Sequence, residues 1–233
     1  MPIAIIPARG GSKRIPRKNI REFCGIPMIV WSIKAAQESQ CFDQIIVSTD
    51  DKEIASVAEK HGASVPFLRP RILADDHTST AAVIAHAIQW LSEEHVHVDY
   101  VCCIYATAPF VRCSDIRVGL EQLRKSACDY AFPVTSFSYP IQRALRINSE
   151  GRITMFQPEK MDSRSQDLED AFHDAGQFYW GRPEAWLEDR PVYSAISVPI
   201  WLPRHQVQDI DTEQDWKQAE LMFRAMSLGG ADQ

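Results

Sequence analysis

The first half of the chain alternates short apolar runs of strand length with segments of helical period. Pro2–Pro7, Gln44–Ser48 and Tyr100–Tyr105 have the apolar, β-branched composition of buried strands. Apolar residues recur at helical spacing after each of these runs. Strands that alternate with helices form a sheet that is mostly parallel and covered on both faces. The pattern therefore predicts an α/β fold of three layers around a mostly parallel sheet.

Start and stop signals refine this alternation. Pro27 fits the first turn of the first helix. Asp50 and Glu53 stand at capping-box spacing before the second helix, and Gly62 closes it. The other predictions for this half are a strand over Ser64–Phe67 and helices over about 78–94 and 114–125.

The pattern changes after Asp129, where proline and polar turns separate short extended pieces. These pieces predict a mixed, partly antiparallel second half, and they cover 130–135, 146–156, 177–181 and 195–201. Thr212 and Asp215 then stand at capping distance for a final helix. No repeat and no linker divides the sequence, so we predict one domain over residues 1–226 and a frayed tail over 227–233.

Composition limits the classes of protein that fit. Of 233 residues, 45% are hydrophobic and 24% charged, which excludes collagen-like, low-complexity and disordered classes. The longest apolar run is far shorter than the ~20 residues of a membrane span, and no secretory pattern is visible. Six cysteines without a C-x-x-C pair indicate reduced, mostly buried thiols. We therefore expect a soluble, cytoplasmic protein without a membrane partner.

The positive charge of the chain is concentrated in one loop. The net charge of −6, from 25 basic and 31 acidic residues, disfavours nucleic acid as a partner. Six cations nevertheless fall within thirteen residues: Arg9, Lys13, Arg14, Arg17, Lys18 and Arg21. We call residues 8–21 the basic loop. An acidic protein with so dense a positive segment is expected to bind an anionic ligand there.

The basic loop also contains the adjacent glycines Gly10 and Gly11. Glycines allow the backbone to approach a ligand and to turn its N–H groups inward. The loop follows the first predicted strand, and open α/β sheets bind ligands at the carboxyl ends of their strands. These features predict a polyphosphate site, with a solvated basic turn as the alternative. The spacing matches neither the P-loop nor the dinucleotide fingerprint.

A second candidate is the pair Asp209 and Asp211. Alternate residues of an extended segment face the same side, so the two carboxylates could hold one hard cation such as Mg²⁺ together with substrate phosphates. The alternative is that Asp211 or Thr212 only caps the last helix. Combined with the basic loop, the pair suggests metal-assisted phosphoryl or nucleotidyl transfer.

Four segments resemble the acylneuraminate cytidylyltransferases, which make CMP-activated nonulosonic acid sugars. They are Ile5–Asn19, Val47–Asp50, Leu68–Pro70 and Asp209–Thr212. The resemblance extends from Pro2 to about Met222. It implies a nucleotide-binding, Rossmann-like fold with a small mixed α+β lobe at about 130–175 through which two copies dimerise. It also implies that CTP and a nonulosonic acid react to give a CMP-sugar and pyrophosphate.

The resemblance implies a set of nucleotide-binding residues, some of them through the loop backbone. The triphosphate would be held by Ala8, Arg9, Gly10, Gly11, Ser12, Lys13 and Lys18. The ribose and cytosine would be surrounded by Asn19, Arg69, Ser79 and Thr80. Mg²⁺ would be held by Asp209 and Asp211, and the metal and Lys13 would withdraw charge from the α-phosphate during in-line attack. No covalent enzyme intermediate and no cysteine chemistry are expected.

The acceptor side resembles one branch of the family, whose acceptor is pseudaminic acid. The segments that carry this resemblance are 105–109, 140–144, 164–168 and 173–180. Sialic acid enzymes typically have Arg-Pro-Asn before the glycine at 176 and a Gln near 105, whereas this chain has His-Asp-Ala and a Tyr. The predicted acceptor is therefore pseudaminic acid, with N-acetylneuraminate or another nonulosonic acid as the alternative. The acceptor-side candidates are Tyr105, Arg143, Arg164, His173 and Gln177.

Other interpretations remain at this point. Arg143 and Arg164 could instead form ion pairs at the surface or at a dimer interface. A glycosyltransferase that consumes nucleotide sugars also uses an Asp-x-Asp pair, but it needs no basic loop for a leaving triphosphate tail. A catalytically silent nucleotide sensor or an RNA-binding module could use the basic loop alone, and the acidic total and the paired aspartates disfavour it.

Overall fold

The computed structural model describes residues 1–229 and confirms the α/β class. The strands are β1 (Pro2–Pro7), β2 (Glu22–Phe23), β3 (Ile26–Pro27), β4 (Gln44–Ser48), β5 (Tyr100–Ile104), β6 (Tyr130–Ser136), β7 (Leu145–Ile147), β8 (Ile153–Met155), β9 (Phe172–Asp174), β10 (Phe178–Gly181) and β11 (Ser197–Trp201). The helices are α1 (Met28–Ser39), α2 (Lys52–Lys60), α3 (Thr80–Glu93), α4 (Cys113–Lys125), α5 (Pro183–Leu187) and α6 (Glu213–Gly229). Over residues 1–229, no helix has the length and apolarity needed to span a membrane.

One seven-stranded sheet organises the fold. Its order is β11-β6-β10-β5-β1-β4, and β9 also pairs with β6. The pairs β1–β4, β1–β5 and β6–β11 are parallel. β10 runs antiparallel to both of its neighbours, and β9 runs antiparallel to β6. Five of the seven strands therefore share one direction, which confirms the mostly parallel sheet and the mixed second half.

Helices cover both faces of this sheet. In β1, Ala4 and Ile6 face a core formed with α1, α2 and α4, whereas Ile3 and Ile5 face a core formed with α3 and α5. All four side chains are fully buried. Because side chains alternate across a strand, a strand covered on both faces must be apolar at every position. This is why β1 is evident from the sequence.

A third apolar cluster connects the basic loop to the C-terminal helix. Ile15 of the loop is fully buried and packs in one cluster with Phe23 and with Trp216 of α6. Ile210, which lies between the two candidate aspartates, is in the same cluster. The two segments that carry the candidate chemistry are therefore fixed by one small core.

Two of the local predictions shift by a residue. Pro27 is the N-cap of α1, and the helix begins at Met28. The cap of α2 is Asp51 and not Asp50, because Asp51 accepts from the N–H groups of Glu53 at 2.8 Å and Ile54 at 3.0 Å. The prediction for α6 is confirmed, since the Thr212 hydroxyl accepts from the Asp215 N–H at 3.2 Å.

The predicted strand over 64–67 is wrong. The structure has only isolated bridges there, from Ser64 to Ile46 and from Leu68 to Thr49. Pro66 between them has no N–H to donate, which explains why no continuous ladder forms.

A segment that departs from the main sheet lies within the range of about 130–175 predicted to contain the lobe. The chain leaves the main sheet after β6 and returns at β9, and between them β7 and β8 form a separate antiparallel hairpin. Tyr130–Ser136 is a buried strand of the main sheet and does not belong to the lobe. We call residues 137–171 the lobe. Of the expected frayed tail, 227–229 continue α6, and 230–233 lie outside the described residues.

Gly119 on α4 tests the packing of this helix against the sheet. A Cβ there would lie 2.6 Å from Cδ1 of Trp180 and 2.9 Å from Cδ1 of Ile200. Trp180 cannot easily move, since it is fully buried and its indole N–H donates to the Ile116 carbonyl at 2.9 Å. We expect Gly119→Ala to lower the free energy of unfolding by about 1–2 kcal/mol, because overpacking outweighs the gain in helix propensity.

Chemical denaturation measures this difference. Gly11→Ala is the matched control, since nothing lies within 4 Å of its added Cβ, and it should leave the unfolding free energy unchanged. An unfolding free energy of Gly119→Ala equal to or above that of the parent protein would contradict the packing described for α4.

Candidate active site

The sequence-predicted residues converge at one edge of the sheet. The basic loop follows β1, Asp50 follows β4 and Tyr105 follows β5, and these parallel strands end at the same edge. Because β10 is antiparallel, its first residues lie at this edge as well. The Tyr105 N–H accordingly donates to the Gln177 carbonyl at 2.9 Å.

A first cavity of about 310 Å³ lies over this edge. Most of the predicted nucleotide-binding side chains line it: Arg9, Ser12, Lys13, Lys18, Asn19, Arg69 and Thr80. Asp211 and Tyr105 complete its wall. Segments distant in the sequence therefore meet around one polar, strongly cationic space.

Backbone and amide hydrogen bonds hold the basic loop against the sheet. The Gly10 N–H donates to Asp50 Oδ1 at 2.9 Å, and the Asn19 side-chain amide donates to the Arg9 carbonyl at 2.9 Å. A Cβ on Gly10 would lie 2.7 Å from Asp51 Oδ2, so this position needs glycine. Asn19 is almost fully buried, which gives it a structural task in the loop besides any contact with a ligand.

Asp76 is the counter-ion of two predicted phosphate-binding side chains. Arg9 Nη1 lies 2.5 Å from Asp76 Oδ1, and Lys13 Nζ pairs with the other oxygen. Hydrogen bonds from Lys13 and then Arg9 lower the pKa of Asp76 to about 2. The carboxylate is therefore ionised through the neutral pH range, and a phosphate ligand must compete with it for both cations.

Asp211 lies among cations on the opposite wall of the first cavity. Arg14 Nη1 lies 2.7 Å from Asp211 Oδ2, and Lys18 Nζ lies 3.6 Å from Oδ1. Burial lowers the pKa of Lys18, while the charge of Asp211 opposes that shift. A carboxylate that faces the phosphate-binding cations in this way is well placed to share a ligand with them.

Arg69 brings a buried guanidinium to the same cavity. Its side chain is only 4% exposed, and its Nη2 atom lies 4.0 Å from Asp50 Oδ1. Its Nε and Nη2 atoms have no hydrogen-bond partner. Buried polar groups are normally paired, so these free donors indicate that a ligand supplies the missing acceptors.

A second cavity of about 460 Å³ adjoins the first. Tyr105 and Thr107 line both cavities, so the two spaces share a wall. The rest of the second lining includes two predicted acceptor-side residues, His173 and Gln177. Asp209 lines it as well.

The pair of aspartates spans the two cavities. Asp209 lines the second, Asp211 lines the first, and the buried Ile210 holds the segment between them. Within residues 1–229, no three His, Cys, Asp or Glu side chains group as a metal site. Mg²⁺ is typically bound by one or two carboxylates together with substrate phosphates, so this donor set fits that ion.

Some predicted residues lie elsewhere. Ser79 is the N-cap of α3, where its hydroxyl accepts from the Ala82 N–H at 3.1 Å, and it lines neither cavity. Arg143 donates to Ser165 Oγ at 3.4 Å in the lobe. Arg164 also lies in the lobe, before a 3₁₀ helix. A single chain therefore does not bring these two arginines into either cavity, and their acceptor-side role stays a prediction.

Ala8, Gly10 and Gly11 of the basic loop line neither cavity. Ala8 donates its N–H to the Ser48 carbonyl at 3.0 Å, which continues the register of β1 on β4. Gly11 is exposed, and nothing lies within 4 Å of the position that a Cβ would take there. The contacts that these residues are predicted to make with a triphosphate stay a prediction.

Polar residues that line the two cavities but are absent from the sequence-based set include Asp76, Thr107, Asp174 and Tyr179. Asp76 is 67 residues from its partner Arg9, and no local pattern indicates such a pair. Asp174 and Tyr179 lie within the segment 173–180 that carries the acceptor-side resemblance, which is the one signal that could have identified them.

The cysteines are consistent with a mechanism that does not use them. All six are free thiols, of which Cys102, Cys103 and Cys128 are buried and the others part-buried. Burial raises the pKa of Cys102 and Cys103, so these thiols stay protonated. None lines either cavity of the candidate site.

The fold and the cationic first cavity are those expected of an enzyme that binds a phosphate-bearing ligand. Residues 3–196 match the cytidylyltransferase family, and the chain belongs to this family. It is therefore a nucleotidyltransferase. The chain is 45% identical over 222 residues to the pseudaminic acid cytidylyltransferase of Campylobacter jejuni subsp. jejuni serotype O:23/36, with 95% of this chain and 96% of that protein covered.

More distant relatives agree with this assignment. The CMP-N,N'-diacetyllegionaminic acid synthase of Legionella pneumophila is 34% identical over 228 residues, with 95% of each chain covered. Among solved structures, a CMP-2-keto-3-deoxy-manno-octonic acid synthetase complexed with CTP superposes with a TM-score of 0.69. It is 16% identical and covers 97% of this chain and 99% of its own, a likeness that shows the shared fold.

Asp76 gives a prediction for anion binding at the first cavity. Asp76→Asn removes the negative charge that competes for Arg9 and Lys13. We expect the inhibition constant of inorganic pyrophosphate to fall about threefold to tenfold, as a charge-assisted competitor is lost. Steady-state inhibition measures it.

Glu53→Gln is the matched control for this variant, because Glu53 pairs with Arg17 and neither residue lines the first cavity. It should leave the inhibition constant unchanged. Weaker pyrophosphate inhibition in Asp76→Asn would show that Asp76 supports anion binding and does not compete with it.

Proposed function

We propose that this enzyme transfers CMP from CTP to the anomeric hydroxyl of pseudaminic acid, giving CMP-pseudaminic acid and pyrophosphate. The observation that carries the proposal is the pair of adjoining cavities. One is lined by the predicted phosphate-binding cations and by Asp211, and the other by hydroxyl and amide groups together with the carboxylates of Asp174 and Asp209. The pseudaminic acid cytidylyltransferase of C. jejuni, alike over nearly its whole length, supports this choice of acceptor.

The chain's own residues account for binding and charge neutralisation. Arg9, Lys13 and Lys18 would hold the triphosphate over the end of β1, where Asp76 occupies the two outer cations before the nucleotide arrives. Arg69 would donate to the nucleoside from the floor of the cavity. Fixed cations that neutralise the developing charge on a leaving group supply much of the rate in phosphoryl and nucleotidyl transfer.

The reaction needs one bond to form and one to break. The anomeric oxygen of the acceptor, in the second cavity, attacks the α-phosphorus in line, and the bond from that phosphorus to the bridging oxygen of pyrophosphate breaks. The proton of the anomeric hydroxyl passes to water as the new bond forms. Lys13 stabilises the charge on the departing oxygens, and no side chain needs to form a covalent intermediate.

We propose that Asp209 and Asp211 hold Mg²⁺ in this reaction. The metal would neutralise phosphate oxygens and make the α-phosphorus more electrophilic. The support is the donor set, in which two carboxylates flank the buried Ile210 at the boundary of the two cavities. Lys18 and Arg14, which now pair with Asp211, would then turn to the phosphates.

We also propose that the enzyme is a homodimer and acts in the cytoplasm. The lobe exposes apolar side chains that a second copy could cover, among them Leu145, Ile147, Ile153 and Phe156. Six free thiols suit a reducing compartment. Light scattering coupled to gel filtration should give twice the chain mass of 26.5 kDa, and a mass of one chain would contradict the dimer.

The acceptor is tested by pyrophosphate release. One preparation is assayed with four nucleoside triphosphates against pseudaminic acid, a legionaminic acid and N-acetylneuraminate. We expect release to require CTP and to have its highest kcat/KM with pseudaminic acid, because a pocket with mismatched polar groups rejects the wrong sugar strongly. An equal or higher kcat/KM with N-acetylneuraminate would contradict the acceptor but not the cytidylyltransferase assignment.

The aspartate segment gives a second prediction, in which metal binding and helix capping are separated. Asp211→Asn should abolish turnover at ordinary Mg²⁺ concentrations with little loss of thermal stability, because it removes a metal ligand from the cavity wall. Asp215→Asn should instead lower thermal stability and leave turnover nearly unchanged. The Asp215 carboxylate accepts from the N–H groups of Asp211 at 3.1 Å and Thr212 at 2.8 Å, which caps α6.

Activity is measured against Mg²⁺ concentration and stability by thermal unfolding. Asp215→Asn is expected to lose about 1 kcal/mol of stability, the usual effect of a lost helix cap, and to keep its metal dependence. Near-normal turnover in Asp211→Asn with unchanged metal dependence would show that this aspartate is structural.

A further inference from the structure

We propose that Asp174 is a positioning residue that fixes the hydrogen-bonding polarity of the second cavity. It holds the hydroxyl proton of Tyr179, so that the phenol oxygen faces the acceptor sugar as a hydrogen-bond acceptor only. The side-chain oxygen Oε1 of Gln177 has the same polarity for a separate reason. The sugar must then supply hydroxyl or amide N–H donors. The identity of that sugar rests on the proposed function.

The Asp174 carboxylate is held by three donors from three parts of the chain. Its Oδ2 atom accepts from the Tyr179 hydroxyl at 2.5 Å and from the Tyr193 hydroxyl at 2.6 Å. Its Oδ1 atom accepts from the Gly176 N–H at 2.8 Å. Asp174 ends β9, Tyr179 is on β10, and Tyr193 lies between α5 and β11. The carboxylate of Asp174 therefore connects β9 to β10 and to the segment before β11.

A count of protons gives the polarity. A phenol has one proton, and an ionised carboxylate can only accept. Each tyrosine hydroxyl must therefore donate its proton to Asp174. Tyr179 lines the second cavity, and its oxygen retains only lone pairs for a ligand.

Gln177 has the same polarity by an independent route. Its side-chain N–H donates to the Gln206 carbonyl at 2.6 Å. Its side-chain oxygen, Oε1, is buried without a partner. Gln177 is 3% exposed and lines the second cavity. A buried acceptor without a donor costs free energy, so a donor group on a ligand that reached Oε1 would be stabilised there and a second acceptor would not.

Tyr179 is suited to binding rather than to proton abstraction. Burial raises its pKa far above the ordinary value, and the neighbouring Tyr105 and Asp174 raise it further. The phenol therefore stays protonated at any pH at which the enzyme works. Its effect on the reaction is expected in the binding of the acceptor.

The inference is tested with Asp174→Asn, Tyr179→Phe and Tyr193→Phe in the pyrophosphate-release assay. Asp174→Asn can donate an N–H to the phenol and free its proton, which reverses the polarity without changing the shape. We expect it and Tyr179→Phe to raise the KM of the acceptor about tenfold or more and to leave the KM of CTP within about twofold, as expected when a buried polar contact is mismatched. Tyr193→Phe should have a smaller effect, since Tyr193 supports Asp174 without lining the cavity.

Two matched controls separate this effect from a general loss of charge or hydroxyl. Asp43→Asn removes an exposed carboxylate that lines neither cavity. Tyr100→Phe removes a phenol oxygen outside both cavities. Both should behave as the parent enzyme. Equal KM values for the acceptor in Asp174→Asn and the parent, or equal rises for acceptor and CTP, would overturn the proposal.

An ultraviolet difference titration of the free protein tests the network without any sugar. Removal of the Asp174 charge should let tyrosine ionise at lower pH in Asp174→Asn, because a neighbouring anion raises the pKa of a phenol. An unchanged titration would overturn the network. The acceptor used for KM is whichever nonulosonic acid the parent enzyme accepts, so failure of the pseudaminic acid proposal would change the sugar and not the expected shift. If Asp174→Asn does not fold, Tyr179→Phe alone decides.

Discussion

The crowding of cations in the basic loop is the constraint on which the rest of the site depends. Two like charges 4 Å apart repel by about 4 kcal/mol at an effective dielectric constant of about 20. The loop is compatible with a folded chain because carboxylates reach it from several distant places. Asp76 pairs with Arg9 and Lys13, Asp211 pairs with Arg14, and other acids pair with Arg17 and Arg21. The fold thus neutralises much of the positive charge of the basic loop with the chain's own carboxylates.

The same constraint links the two halves of the chain. Ile15 of the basic loop and Ile210 of the aspartate segment share one buried cluster with α6. Under the proposed function, a ligand that drew Arg14 and Lys18 towards its phosphates would also release Asp211, which would then be available to a metal. The third cluster keeps both backbones in place during this exchange, so that charges can change partners while the geometry of the site is kept.

Much of the fold could be predicted from sequence because its signals are local. A strand buried on both faces, such as β1, is apolar at every position, and the cap of α6 uses residues three apart. The prediction of a strand over 64–67 was wrong. Pro66 cannot donate a hydrogen bond to a neighbouring strand, and only isolated bridges form there. Asp51 replaced Asp50 as the cap of α2, and Asp50 holds Gly10 instead, a contact that only the neighbouring strand β1 creates.

The residues of the site could be predicted only where they lie in a recognisable sequence motif. Arg9, Lys13 and Asp211 lie in dense, recognisable segments and meet in the first cavity. Asp76 carries no such signal, since its partner Arg9 lies 67 residues away. Asp174 lies within the motif segment 173–180, but its bond with Tyr193 is not visible in that segment. The reversed direction of β10 decides which residues face the second cavity, and this direction follows from long-range pairing with β5 and β6.

The central claim is that the basic loop binds the triphosphate of CTP, and calorimetric titration of CTP and CMP tests it most directly. The parent protein should bind CTP more tightly than CMP. Lys13→Ala should weaken CTP about tenfold or more, the usual loss for a charge-assisted phosphate contact, and leave CMP unchanged. Lys125→Ala, which removes an exposed cation paired with Glu121, should change neither. Equal affinities of the parent protein for CTP and CMP, or an unchanged CTP affinity in Lys13→Ala, would contradict this account.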